Sequence, residues 1–142
     1  MAFIGAKRGI IAFVAGFVAT LVFHQAVLWL LHHFGYVPRA PWPMQPVPPF
    51  GIPAVISLAF WGGVWGVIMM PMIARRRGSA FWIAAILFGA IFPTLVAWFI
   101  VAPIKHTPIA GGWNPKTMMI GPLVNGAWGL GTALIYRVFV PR

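Results

Sequence analysis

Four long apolar runs dictate what this chain can fold into, and the first, Gly9 to Leu31, is the most telling because it carries His24 and Gln25 inside it. About 20 apolar residues cover the roughly 30 Å hydrocarbon core of a bilayer. The other runs are Ala54 to Ala74, Ala80 to Ala102 and Met118 to Tyr136. Their ends are punctuated. Gly35 and Pro38 stop the first, Arg75, Arg76, Arg77, Gly78 and Ser79 make a tight basic turn between the second and third, and Arg137 follows the fourth. In lipid a backbone must satisfy its own hydrogen bonds, which leaves helices or a closed barrel, and the alternating pattern of a barrel is absent. The expected fold is an all-α integral membrane protein, one domain over residues 1–142, with four transmembrane helices at about 9–32, 54–74, 80–102 and 118–137.

Composition narrows the function. Hydrophobic residues make up 61% of the chain and charged residues 7%, far from the balance of a soluble domain. There are ten Lys and Arg and no Asp or Glu, a net charge of +10 that in a soluble domain would raise nucleic acid first. Here the cations sit at the ends of apolar runs, where the positive-inside rule and anionic lipid headgroups account for them, so no nucleic-acid partner is expected. Lys7, Arg8, Arg75, Arg76, Arg77, Arg137 and Arg142 fall on one face, and Arg39, Lys105 and Lys116 on the other. That asymmetry predicts both termini in the cytoplasm and the two longer loops at the outer face of a bacterial inner membrane.

The missing residue types exclude much chemistry. Without carboxylates there is no acid/base pair, no Ser-His-Asp triad, no Ca²⁺ or Mg²⁺ cage and no carboxylate proton relay. Without Cys there is no disulfide and no thiolate zinc site. An enzyme is therefore not expected, and no cofactor or metal is strongly implied. Haem ligation by His24 lacks a second His at matching depth. A soft-ion site from His32, His33 and His106 with Met44, Met118 and Met119 lacks a regular ligand array.

The connection Val37 to Gly51 holds six prolines in its first thirteen residues and reads as an extended, polyproline-like loop. Its Trp42 and Phe50 read as interfacial anchors, with a ligand lid as the second reading. The connection Pro103 to Thr117 again mixes Pro, Gly and Trp. The chain also matches itself. Thr20-Leu21-Val22 corresponds to Thr94-Leu95-Val96, Gly63-Val64-Trp65-Gly66 to Gly126-Ala127-Trp128-Gly129, and Trp42 to Trp113. These matches predict a parallel duplication of a two-helix hairpin, against coincidence between Gly- and Trp-rich apolar helices. Small residues at four-residue spacing (Ala12, Gly16, Thr20; Gly62, Gly66; Gly121, Asn125, Gly129, Ala133) predict close helix contacts, within one bundle or between two copies.

Counting about 1.5 Å per residue from the basic markers places His24, Gln25, Ser57, Thr94 and Asn125 together in the outer half. Two readings follow for this layer. In one, the polar groups bond one another and fix helix register. In the other, His24, Gln25, Ser57, Thr94 and Asn125 are polar contacts of a ligand site walled by Trp29, Trp61, Trp98 and Trp128. The expected function is a small non-enzymatic membrane bundle, self-associating or an accessory subunit of a larger membrane complex, in contact with anionic lipids at its basic face. The alternative is a carrier of a small solute or lipophilic ligand, with a pocket open to the outer face.

Overall fold

The computed structural model describes residues 4–142. Four helices carry the chain: α1 Ala6–His33, α2 Ala54–Ile73, α3 Ser79–Ile104 and α4 Pro115–Phe139. Each is long and apolar enough to cross a membrane, with mean hydropathy from 1.3 to 2.3. They run up and down in sequence order, so one end of the bundle gathers Lys7, Arg8, Arg75–Arg77, Arg137 and Arg142 and the other gathers the two longer connections. We call these the basic end and the loop end. The helix bounds lie within three residues of those read from the sequence.

The bundle is filled by small residues. Ala12, Ala15 and Ala19 of α1, Ala59 of α2, Ala85 of α3 and Ala133 of α4 are fully buried. Large apolar side chains such as Ile10, Trp61, Ile83, Leu87, Ile100 and Val138 point outward, each about half exposed or more. This distribution inverts that of a water-soluble bundle, whose large apolar side chains close the core. Towards the basic end larger groups complete the interior, among them Met69, Met70, Phe81 and Tyr136. Met69 and Met70 thus fill gaps, as unbranched thioethers do, while Met72 faces out.

Helix pairing is uneven. α1 lies closely along α2, α3 along α4, and α1 along α4, whereas α2 and α3 barely touch. In both sequential hairpins, backbone meets backbone at glycine. A Cβ on Gly16 would collide with the carbonyl oxygen of Gly62, and one on Gly66 with that of Ala12. In the second hairpin a Cβ on Gly89 would collide with the carbonyl of Asn125, and one on Gly129 with that of Ala85. The small-residue ladders are therefore occupied by partner helices of the same chain. These contacts set Ala12 against Ala85, Gly16 against Gly89, Gly62 against Asn125 and Gly66 against Gly129. The sequence match over Gly63–Gly66 and Gly126–Gly129 keeps that register, but the Thr20/Thr94 match is one residue out of it. Packing at the glycines, not the identity of the next turn, fixes how the helices pair.

The first helices of the two hairpins end alike. Tyr36 N–H bonds Leu31 O and Gly35 N–H bonds His32 O, with Gly35 at φ 78. Thr107 N–H bonds Ala102 O and His106 N–H bonds Pro103 O, with His106 at φ 55. Both are Schellman closures, the second tolerating a non-glycine in the left-handed position. The loops then diverge. In the first, Pro46–Val47 and Ile52–Pro53 pair as a short antiparallel hairpin, so the segment expected to be wholly extended folds back on itself. In the second, Ile109–Trp113 is a left-handed turn, with Ala110, Gly111 and Gly112 at φ 50, 62 and 69. Asn114 then caps α4, its Oδ1 accepting from Lys116 N–H at 3.0 Å, and Pro115 occupies the first helical position.

Candidate functional site

The polar residues singled out in the sequence resolve into two groups. The first is built on an irregularity of α1. Over Thr20–His24 the helix widens into a π turn, and Gln25 N–H bonds Thr20 O, five residues back. The Leu21 carbonyl is thereby passed over by the helix ladder. Trp42 from the loop supplies the missing donor: its indole Nε1 donates to Leu21 O at 2.8 Å. Its backbone N–H also donates to Gln25 Oε1 at 2.7 Å, and Gln25 Nε2 lies 3.0 Å from His24 Nδ1. Trp42 itself is held at φ 49, a costly conformation for a bulky residue, and these two bonds hold it there. One chain of contacts therefore runs from His24 through Gln25 to Trp42 and back to α1. Gln25 is fully buried and His24 nearly so.

The second group joins α3 to α4: Asn125 Nδ2 donates to Thr94 Oγ1 at 2.9 Å. Thr94 is buried and Asn125 half-buried. His24 and Asn125, placed in one polar layer by depth, thus have different partners. Depth matching located both at the loop-end half, but depth carries no information about which face of the bundle each helix turns inward. Ser57 is half-buried on α2 and joins neither group.

The four tryptophans expected as walls separate as well. Trp128 is 3% exposed and donates from Nε1 to Gly16 O at 3.0 Å, tying α4 to α1. Trp98 is half-buried beside Gly121, where α3 crosses α4. Trp29 is 45% exposed and stacks on His33 at 5.1 Å, and Trp61 is 57% exposed. Two of the four face outward and enclose nothing within the bundle. His32 is also in structural use, its Nδ1 2.9 Å from Val37 O, and His106 forms the cap that ends α3.

Two buried hydroxyls went unremarked as hydrogen-bonding groups. Thr20 donates to Gly16 O at 2.9 Å and Thr132 to Trp128 O at 2.8 Å. Both bond a carbonyl four residues back on their own helix, the usual way for Thr to remain satisfied inside an apolar bundle. Gly16 O therefore accepts from both Thr20 and Trp128.

Concave space lies elsewhere. One cleft of about 510 Å³ opens at the basic end, and a second of about 510 Å³ runs between α2 and α3, lined by Met72, Ile83, Leu87 and Phe92 among others. Neither includes His24, Gln25, Thr94 or Asn125. At the basic end, with no carboxylate available, the guanidiniums bond main-chain carbonyls and aromatic faces. Arg142 donates to Arg75 O at 3.0 Å, to Arg76 O at 3.1 Å and to Ala74 O, and Arg137 stacks 3.9 Å over the Phe81 ring. Comparison with protein-family models, with curated proteins and with solved structures finds no match.

Proposed function

We propose that this chain is an integral membrane protein that acts by contact rather than by catalysis, as a self-associating bundle or an accessory subunit of a larger membrane complex. Support for the membrane comes from four apolar helices whose outward positions carry large apolar side chains around a Gly- and Ala-filled interior. Support for a structural use of the polar residues comes from their bonding: Gln25, Thr20, Thr132, Thr94 and Asn125 each have a partner within the fold. The observation that carries the assembly reading is the contrast between two helix contacts. α1 and α4 are closely packed, whereas α2 and α3 leave an apolar groove. In a parallel duplication these two contacts are equivalent by the internal two-fold, and only one of them is closed within the chain. We take the duplication itself as part of the proposal, supported by the shared glycine contacts, the paired Schellman closures and the left-handed Trp42 and Trp113.

The basic asymmetry orients the bundle with both termini in the bacterial cytoplasm and the loops outside. A single Cys at Gln45 should react with an impermeant reagent in intact cells and one at Ser79 should not. The reverse labelling would turn the bundle over. For assembly, the full chain in mild detergent is weighed by native mass spectrometry. The expected result is a multiple of 15.5 kDa, or 15.5 kDa plus a second polypeptide. A 15.5 kDa species at every concentration would overturn the assembly reading, and a co-purifying small molecule would favour a carrier.

A further inference from the structure

The cleft at the basic end is built unlike the rest of the surface. Five cationic side chains line it, Lys7 and Arg8 from the start of α1, Arg75 after α2, Arg137 on α4 and Arg142 after it. No side-chain carboxylate exists anywhere in the sequence to answer them. Positive-inside placement explains cations at this end but does not require that they converge on one concavity. Two further features point to an anion there. The first is Tyr136, which is part of the cleft wall, is 1% exposed, and has a hydroxyl with no hydrogen-bond partner among the described residues. A buried hydroxyl left unbonded is costly, and groups of this kind in a finished structure call for a missing partner. The second is the start of α1, which also lines the cleft. Gly5 gives it no side-chain cap, and its first turn holds Lys7 and Arg8 and no acidic residue. The free N–H groups and positive dipole end of a helix favour an anion and disfavour those two cations unless an anion sits between them.

We infer that this cleft holds a phosphate oxyanion, with Arg137 offering its free guanidinium N–H groups, Lys7, Arg8 and Arg142 adding charge, and the Tyr136 hydroxyl donating. Arg137 uses one nitrogen on Ala74 O, at 3.3 Å, and keeps further N–H donors for such a ligand. The volume, about 510 Å³, suits a headgroup-sized ligand. The cleft lies at the basic ends of the apolar spans, where in the membrane reading a bilayer carries its phosphodiesters, so an anionic lipid headgroup and a free phosphate share the required chemistry. The lipid source rests on the membrane reading above, and carbonate-resistant recovery of the chain with membranes tests that reading separately.

The test uses the full chain purified in detergent. Native mass spectrometry follows titration with dioleoylphosphatidylglycerol and, separately, dioleoylphosphatidylcholine. A discrete first adduct with the anionic lipid is expected, about tenfold or more tighter than with the zwitterionic one. Lys7→Gln with Arg8→Gln, exposed residues whose loss spares the core, should weaken it about tenfold. Tyr136→Phe should weaken it about threefold while leaving the melting temperature unchanged or raised. A matched pair at the same end outside this cleft, Arg76→Gln with Arg77→Gln, should leave it within about twofold. Inorganic phosphate at millimolar levels distinguishes the sources: competition assigns the site to a free anion, and its absence assigns it to the lipid. Equal weakening by both double variants would reduce the binding to diffuse surface attraction and overturn the inference. So would equal binding of the two lipids.

Discussion

The two hairpins, α1 with α2 and α3 with α4, agree where backbone touches backbone and part where chain length differs. At mid-bundle the same carbonyl-to-glycine contacts recur in each, because a glycine that approaches a neighbouring helix so closely admits no other side chain. At the loop end the connection is twenty residues in the first hairpin, 34–53, against ten in the second, 105–114. The longer one reaches back, so Trp42 docks on the π turn of α1. The shorter one cannot. Trp113 shares the left-handed backbone of Trp42, but it is 63% exposed and its ring lies 6.2 Å from Phe99. A π turn interrupts α3 as well, over Ala97–Val101, so the irregularity is common to both hairpins and the loop that exploits it is not. The comparison separates what helix packing demands from what a loop adds.

The harshest way to break this equivalence is to add a methyl group at the paired glycines. Gly66→Ala and Gly129→Ala should each cost about 3 kcal/mol or more, measured by thermal or denaturant unfolding in detergent. Gly126→Ala, whose Cβ would meet nothing nearer than 3.6 Å, should stay within about 0.5 kcal/mol. If Gly66→Ala were mild and Gly129→Ala severe, the hairpins would not be equivalent. Next in size, Trp42→Phe strips the donor from Leu21 O and should cost about 1–2 kcal/mol, whereas Trp113→Phe should be close to neutral. Equal costs would erase the distinction between the two loops. Smaller again is the pair between α3 and α4. Thr94→Val and Asn125→Leu should show a coupling of about 0.6–1.7 kcal/mol in a double-mutant cycle. His24→Leu combined with Asn125→Leu should instead be additive within about 0.5 kcal/mol, since those residues share no bond.

Helix number, bounds and the small-residue contacts were legible because each depends on local composition: an apolar run, a Gly or Pro stop, a four-residue ladder. The membership of the polar groups was legible only as depth. Pairing His24 with Asn125 required knowing which way each helix turns, and a π turn at Thr20–His24 rotates everything beyond it without leaving a sequence signature. For the same reason Trp42 could be read as an anchor at a surface but not as a donor to Leu21, whose carbonyl is free only because the turn exists. The short strand pair inside the Pro-rich loop was hidden by its composition. Pro46 and Pro53 carry no N–H, so the segment closes through the few donors that remain, Gly51 to Val47 O and Ala54 to Gln45 O. In sequence Tyr136 is one more aromatic at the end of an apolar run, because whether its hydroxyl finds a partner depends on how α4 packs against the other helices.

The bond from Trp128 to Gly16 O spans 112 positions of sequence. A ribosome delivers α1 well before α4, so this carbonyl, already accepting from the Thr20 N–H and hydroxyl, must wait through the synthesis of three further helices before its indole donor arrives. During that interval the first hairpin can already be closed through its own glycines, while the site for the indole stays open beside it. Insertion of the final helix then acts as a latch, and chains truncated before Trp128 should expose an unfinished first hairpin to quality-control proteases for which the completed chain presents no equivalent opening.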